Sequence, residues 1–279
     1  MNYKNVLATS LIWLAALLVF GVFVWLLADI LTHGLPRLSW SFLTEAPRDA
    51  GRAGGIAPII VSTGLIVLVA MAGAAPLGLA TAVLLSEFTP THSIFGRLIE
   101  RSLEVLAGVP SIVFGLFGNA FFCIYLGLGF SILSGGLTLA CMVLPIFIKT
   151  AVEGLRTAPD DYRLSAAALG MSRSAALLHL LLPAAAPALI AGLMLGIARA
   201  AAETAALIFT SGYVDRMPDT LFDSGRALSV HIYDLAMNVA GGDNNAYASA
   251  LVLMILLLII NTLAASLGHH WLHRRSITA

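Results

Sequence analysis

Charge is what this sequence lacks most. Asp, Glu, Lys and Arg make up 11% of its 279 residues, against about 25% in a typical soluble domain. That leaves too little polar surface to coat a water-soluble particle. With 59% hydrophobic residues and a mean hydropathy of +0.94, lipid must be the solvent for much of the chain. The formal net charge is zero and no basic stripe interleaves with aromatics, so nothing points to a nucleic-acid partner. Cysteine is scarce as well. Cys123 and Cys141 stand in apolar surroundings, too few for a disulfide framework or a metal-ligand spacing, and read as small buried thiols. His269, His270 and His273 cluster without a carboxylate or cysteine beside them, so no metal site is expected there. No Gly-x-x-x-x-Gly-Lys-Ser/Thr string occurs, so the chain lacks the loop that cradles nucleotide phosphates. No nucleophile–base pair stands out either, which leaves an enzyme reading without support.

What the sequence has is long apolar runs. Crossing the hydrocarbon core takes roughly 20 mostly apolar residues. Val6–Leu31, Ala57–Leu85, Gly136–Val152, Ala184–Ser211 and Tyr247–Trp271 qualify, and a sixth span lies within Leu103–Leu133, broken by Pro110 and several glycines. The first run is longer than the apolar core of a cleaved signal peptide and reads as a retained span. Placing the N-terminus in the cytoplasm puts Lys4, Arg97, Arg101, Lys149, Arg156, Arg163, Arg173, Arg274 and Arg275 inside, mostly in short loops. The longer outside loops hold Arg37, Arg48, Arg52, Arg216 and Arg226, with Asp215, Asp219, Asp223, Asp234 and Asp243. The positive-inside bias therefore favours six membrane helices in an all-α protein with both ends cytoplasmic. The expected partition is an N-terminal helix and external loop (1–56), a membrane domain (57–272) and a cytoplasmic tail (273–279). Gly51–Gly55 reads as a flexible hinge, and a short amphipathic helix is expected around Leu221–Leu235.

The best-patterned polar stretch is Glu153–Leu182, between the fourth and fifth spans. Pro159-Asp160-Asp161 is a helix start. Leu164-Ser165-Ala166-Ala167-Ala168-Leu169-Gly170 is a short helix closed by glycine. Ser172–Leu182 then leads to Pro183, which can open the next helix. The geometry is a small-residue helix across the cytoplasmic face; an ordinary amphipathic connector would look similar.

This stretch resembles the cytoplasmic loop of binding-protein-dependent ABC importer permeases: Glu-Ala-Ala, three residues, Gly, nine residues, Ile, one residue, Leu-Pro. Here the motif falls on Leu164-Ser165-Ala166, Gly170, Leu180 and Leu182-Pro183. The spacing matches, while Leu164 replaces the motif Glu and Ser165 its first Ala. The resemblance implies a type I permease fold of the MetI kind. It also implies that Ser165, Ala166, Ala167, Gly170 and Pro183 belong to a coupling segment docking into a cytoplasmic ATPase.

Three further stretches resemble permease subunits of phosphate importers. They are Glu104–Leu116 with its Ala107-Gly108-Val109-Pro110-Ser111-Ile112 string, Gly196–Ala205 with Arg199-Ala200-Ala201-Ala202-Glu203-Thr204, and Gly54-Gly55-Ile56 after Trp40–Glu45. The third is similar to the PstA type of subunit. The resemblance implies a second permease subunit (PstC-like), ATPase subunits (PstB-like) and a periplasmic phosphate-binding protein (PstS-like). The chain itself would hold no cofactor, with ATP and Mg used by the ATPase.

The residues themselves add to this. Arg199 and Glu203 stand four apart in the expected fifth span, hence on one helix face. They form either a self-neutralising pair or the lining of the path for phosphate. Glu104 either caps its helix or faces that path. Pro110 bends the chain, and Ser111 offers a hydroxyl beside the bend. The expected function is the permease subunit of an ATP-driven inorganic phosphate importer. The alternatives are a permease for another oxyanion or small solute, and an ATP-independent secondary transporter.

Overall fold

The computed structural model describes residues 3–90 and 93–276, with side chains from residue 9 to 263 and at 265 and 266. The chain forms helix α1 (Tyr3–Gly34), a short α2 (Trp40–Thr44), and a two-residue hairpin of β1 (Pro47–Arg48) with β2 (Ala53–Gly54). Then follow α3 (Ala57–Val83), α4 (Ile94–Ala107), α5 (Ser111–Gly118) and α6 (Ile132–Arg156). The remainder is α7 (Asp160–Ala168), α8 (Arg173–Ala176), α9 (Leu182–Ala201), α10 (Ala205–Ile208), α11 (Leu228–Met237) and α12 (Asp243–Ser276). Five stretches of the described residues are long and apolar enough to cross a membrane: Thr9–Arg37, Ala57–Phe88, Ile132–Arg156, Arg173–Ala201 and Asp243–Leu263. The pair Ile94–Ala107 and Ser111–Tyr125 makes a sixth if counted as one, bent by 100° between its halves. The bend falls at Gly108-Val109-Pro110. Pro110 has no N–H, and its own extended backbone starts α5 as the N-cap.

The bundle is built on α6. Its face toward α3 and α9 carries small residues that let backbones approach, the usual device where lipid removes any hydrophobic drive between helices. At Gly136 a Cβ would fall 2.5 Å from the Val69 side chain. The core there gathers Ile66, Ala70, Leu139, Val143, Phe147 and Leu207. A second cluster, with Leu85, Leu155, Ala158 and Leu181, sits at the end bearing α7 (the loop end). A third, with Phe42, Ile56, Leu228 and Val252, closes the opposite end. Helix α1 leaves Trp13, Phe20 and Trp25 about two-thirds exposed, as a lipid-facing helix should. It meets α12 at the opposite end, where His33 stacks on Tyr247 and pairs with Asp29 at 3.1 Å.

Two expectations change here. Gly51–Gly55 is a packed turn rather than a hinge: Gly51 has φ +87, and a Cβ on Gly55 would meet the Phe42 carbonyl oxygen at 2.5 Å. The helix expected around Leu221–Leu235 begins later, at Leu228. The Asp223 carboxylate accepts the N–H groups of Asp219 and Thr220, each at 2.8 Å, and so holds 219–223 as a turn.

Candidate functional site

Helix α7 carries Asp160 and Asp161 in its first turn, where they complement the helix dipole. It ends in a Schellman motif. Gly170 adopts φ +68, its N–H donates to Ala167 O at 3.1 Å, and Met171 N–H donates to Ala166 O at 2.9 Å. Ala166 is buried, whereas Ser165 and Ala167 are exposed. The outer surface also carries Tyr162, Leu164 (68% exposed) and Leu169 (78% exposed). Ser172 then accepts the Ala175 N–H and starts α8. Pro183 corrects an expectation. It does not open the helix, because one helical span runs from Arg173 to Ala201 through it. A wide π turn over Leu177–Leu181 comes just before Pro183. A wider turn loosens the i−4 crowding and the lost hydrogen bond that proline would otherwise impose.

Arg199 and Glu203 also differ from expectation. Helix α9 stops at Ala201, so Glu203 lies beyond it and the two side chains share no helix face. The reason is local. The Glu203 carboxylate accepts the Ala206 N–H at 3.2 Å and caps α10, while Ser229 Oγ donates to the Glu203 carbonyl oxygen at 2.5 Å. Arg199, in the last turn of α9, is exposed and forms no ion pair among the described residues. Its depth follows from packing. Gly196, one turn earlier, rests against Val143, so Arg199 is level with the middle of α6 and not with a helix end.

Glu104 sits in the last turn of α4 with an oxygen 4.0 Å from Lys149 Nζ of α6. Beside it, Arg156 holds Glu100 at 2.8 Å. These side chains, with Leu85, Leu103 and Glu153, line an open cleft of about 500 Å³ toward the loop end. Pro110 is exposed and Ser111 half-buried at the bend. One helical turn on, Gly115 lies against Ala206 of α10. The chain thus presents two separate charged stations, Arg199 at mid-depth and Glu104–Lys149 nearer the loop end. No contact joins them among the described residues.

At the opposite end Arg226 and Asp234 pair at 3.1 Å, both largely buried, and Arg226 Nε donates to Tyr213 O at 2.8 Å. His231, 1% exposed, lies beside this pair with its Nδ1 3.5 Å from an Arg226 nitrogen. Burial first, then the Arg226 charge, push its imidazole down to about 4, although Asp234 pulls the other way. The folded protein therefore keeps His231 neutral where the unfolded chain protonates it near 6.5. Stability is full above pH 6.5 and falls as pH drops through that window toward 4, by roughly 3 kcal/mol. Thermal unfolding in detergent at pH 7 and pH 4 measures the loss, and a His231→Leu variant should show little of it.

Among the described residues no three His, Cys, Asp or Glu side chains converge as metal ligands. The side chains of His269, His270 and His273 lie outside the described residues. Reading the sequence missed Glu87 altogether, counted Arg163 and Lys149 only as inside charges, and so missed the pairs they make. Arg163 of α7 turns inward onto Glu87, at 2.7 Å. The partners are 76 positions apart, and only the fold brings them together.

Residues 74–277 match the family described as binding-protein-dependent transport system inner membrane component. A probable ABC transporter permease protein, YqgI, of Bacillus subtilis is 30% identical over 96% of this chain and 97% of its own. The phosphate transport system permease protein PstA of Yersinia pestis is 33% identical over 91% of this chain and 87% of its own. Among solved structures, an inward-facing MetNI methionine ABC transporter superposes with a TM-score of 0.61 at 14% identity, over 77% of this chain and 96% of that one. A bacterial ABC transporter involved in the import of the acidic polysaccharide alginate superposes with a TM-score of 0.60 at 11% identity, over 96% of this chain and 99% of that one.

Proposed function

The chain belongs to the binding-protein-dependent transport system inner membrane component family, and from that premise we propose that it is the permease subunit of an ATP-driven inorganic phosphate importer. It is a multi-pass inner-membrane protein and a transport subunit rather than an enzyme. The loop end faces the cytoplasm with both chain termini. There the outer surface of α7 docks into an ATPase that uses ATP and Mg. A second, PstC-like permease completes the path, and a PstS-like phosphate-binding protein delivers substrate at the opposite end.

The observation that carries the phosphate reading is Arg199. A charged side chain at this depth costs several kcal/mol unless it is paired or meets water. Arg199 is exposed and unpaired among the described residues. It therefore faces an aqueous path, where a guanidinium offers a fork of donors to phosphate oxygens and never loses its charge. Glu203 is engaged with α10, so Arg199 stays free for the anion. Lys149, loosely held by Glu104, is the next cation toward the cytoplasm. ATP-driven closure of the ATPases would draw the docked loops together and rock the spans. Proteoliposomes holding this chain, its partner permease and the ATPase should take up labelled phosphate only with ATP, and excess sulfate or molybdate should compete weakly. Uptake that persists without ATP would identify a secondary transporter instead.

A further inference from the structure

We propose that Arg163 is a positioning residue for energy coupling, the strut that ties the ATPase-docking helix to α3, a span it does not adjoin in sequence. The inference rests on the reading of α7 as an ATPase dock. The Arg163 guanidinium serves acceptors on three parts of the chain. It donates to Glu87 Oε1 at 2.7 Å and Oε2 at 3.2 Å, in the π turn that ends the α3 span. It donates to the carbonyl oxygens of Leu155 at 3.0 Å and Ala158 at 3.1 Å, at and just past the end of α6. It also donates to Asp160 Oδ1 at 3.2 Å, within its own helix. Glu87 is 14% exposed and Arg163 30%, so water screens the pair only in part.

Helix α7 thus has two faces. Tyr162, Leu164, Ser165 and Leu169 point outward, whereas Arg163 and Ala166, three apart, point inward. A displacement of the outward face reaches α6 and α9 along the chain itself, through residues 157–159 and 169–172. It has no such covalent route to α3. Between the end of α3 and α7 lies an open groove of about 280 Å³ whose lining, apart from Glu87, Arg163 and Arg173, is apolar, with Phe88, Ala166 and Met171. Loose apolar contact of this sort is non-directional and can slide. A bidentate carboxylate–guanidinium pair fixes both distance and angle. The Glu87–Arg163 pair is therefore a direct, directional link from α7 to the end of α3, added to the packing of Leu85 in one cluster with Leu155 and Ala158, while the Leu155 and Ala158 carbonyls keep the end of α6 in step.

The test uses the full assembly in proteoliposomes, measuring phosphate moved per ATP hydrolysed on equal amounts of purified complex. In R163Q and E87Q the ATPase should still co-purify and hydrolyse ATP, with phosphate moved per ATP about tenfold lower, within the range of measured coupling effects. R163K keeps the charge but cannot reach all the acceptors, and should fall between R163Q and the unaltered protein. The E87R/R163E exchange should recover part of what R163E alone loses, because it restores the ion pair between the two positions. An unchanged ratio in R163Q and E87Q overturns the strut and leaves the permease reading standing. So does a loss of uptake that only tracks the loss of folded complex. An unaltered assembly without ATP-driven uptake overturns the permease reading and the strut with it.

Discussion

Replacing Arg199 by Gln is expected to lower phosphate uptake about 100-fold or more, while the chain still folds and still brings down its ATPase. The argument for the second half is local. Arg199 is exposed, pairs with nothing among the described residues, and sits in the last turn of α9. What folding loses is its favourable position near the helix C-terminus, worth about 0.3–1 kcal/mol. The first half follows from what phosphate needs. Two hydrogen bonds from a charged donor contribute roughly 1.5–3 kcal/mol each, and Gln supplies neither the charge nor the fork. If those contacts form where the anion is partly dehydrated, their loss appears in the rate. Arg199→Lys should be intermediate, because it keeps the charge without the planar fork. Glu203→Gln should stay within severalfold of normal, since an amide oxygen can still accept the Ala206 N–H that caps α10. Rates of labelled phosphate uptake on matched protein amounts decide it, and near-normal uptake in Arg199→Gln would sink the proposed path.

The Glu203 result shows why part of the site was legible in the sequence and part was not. Apolar runs depend only on composition along the chain, and they recovered the membrane helices to within a few residues at most ends. The glycine-to-proline spacing likewise pointed to α7, because a Schellman end at Gly170 is a local device. The fifth span misled because Ala184–Ser211 is apolar apart from Arg199, Glu203 and three hydroxyls, and hydropathy is blind to a backbone break. The break after Ala201 is held by Ser229, which lies 26 positions from the Glu203 carbonyl it binds, and by the Glu203 side chain acting on α10. Pro183 misled for a related reason, since a π turn upstream absorbs a proline that usually marks a helix start. Glu87–Arg163 and Glu104–Lys149 exist only once α3, α4, α6 and α7 are assembled, so no spacing rule could reveal them.

Substitutions at Gly170 should grade ATPase association in the order Gly, Asn, Ala, Val, with the valine variant down by about tenfold or more in both association and uptake. Gly170 has φ +68 and nothing within 4 Å of the place a Cβ would occupy. Its cost is therefore one of backbone conformation alone. An ordinary L-residue in this region costs about 1–2 kcal/mol, Asn less, and a β-branched residue more. To escape, the chain must leave the left-handed region and give up the hydrogen bonds to Ala167 O and Ala166 O that end α7. The exposed Leu169 next to it would then move, and with it the surface offered to the ATPase. Because Leu164 stands where the family motif has an acid, that surface has no charge at this position to hold the partner through a distortion. On the proposed reading docking would rest on shape, and shape here is fixed by the turn after Ala168. The order of the series identifies the cause. A crowded site would reject Asn nearly as strongly as Val, whereas a left-handed turn in open space accepts Asn and rejects Val. Co-purification of the ATPase with each variant, in detergent at fixed salt, reads that order directly.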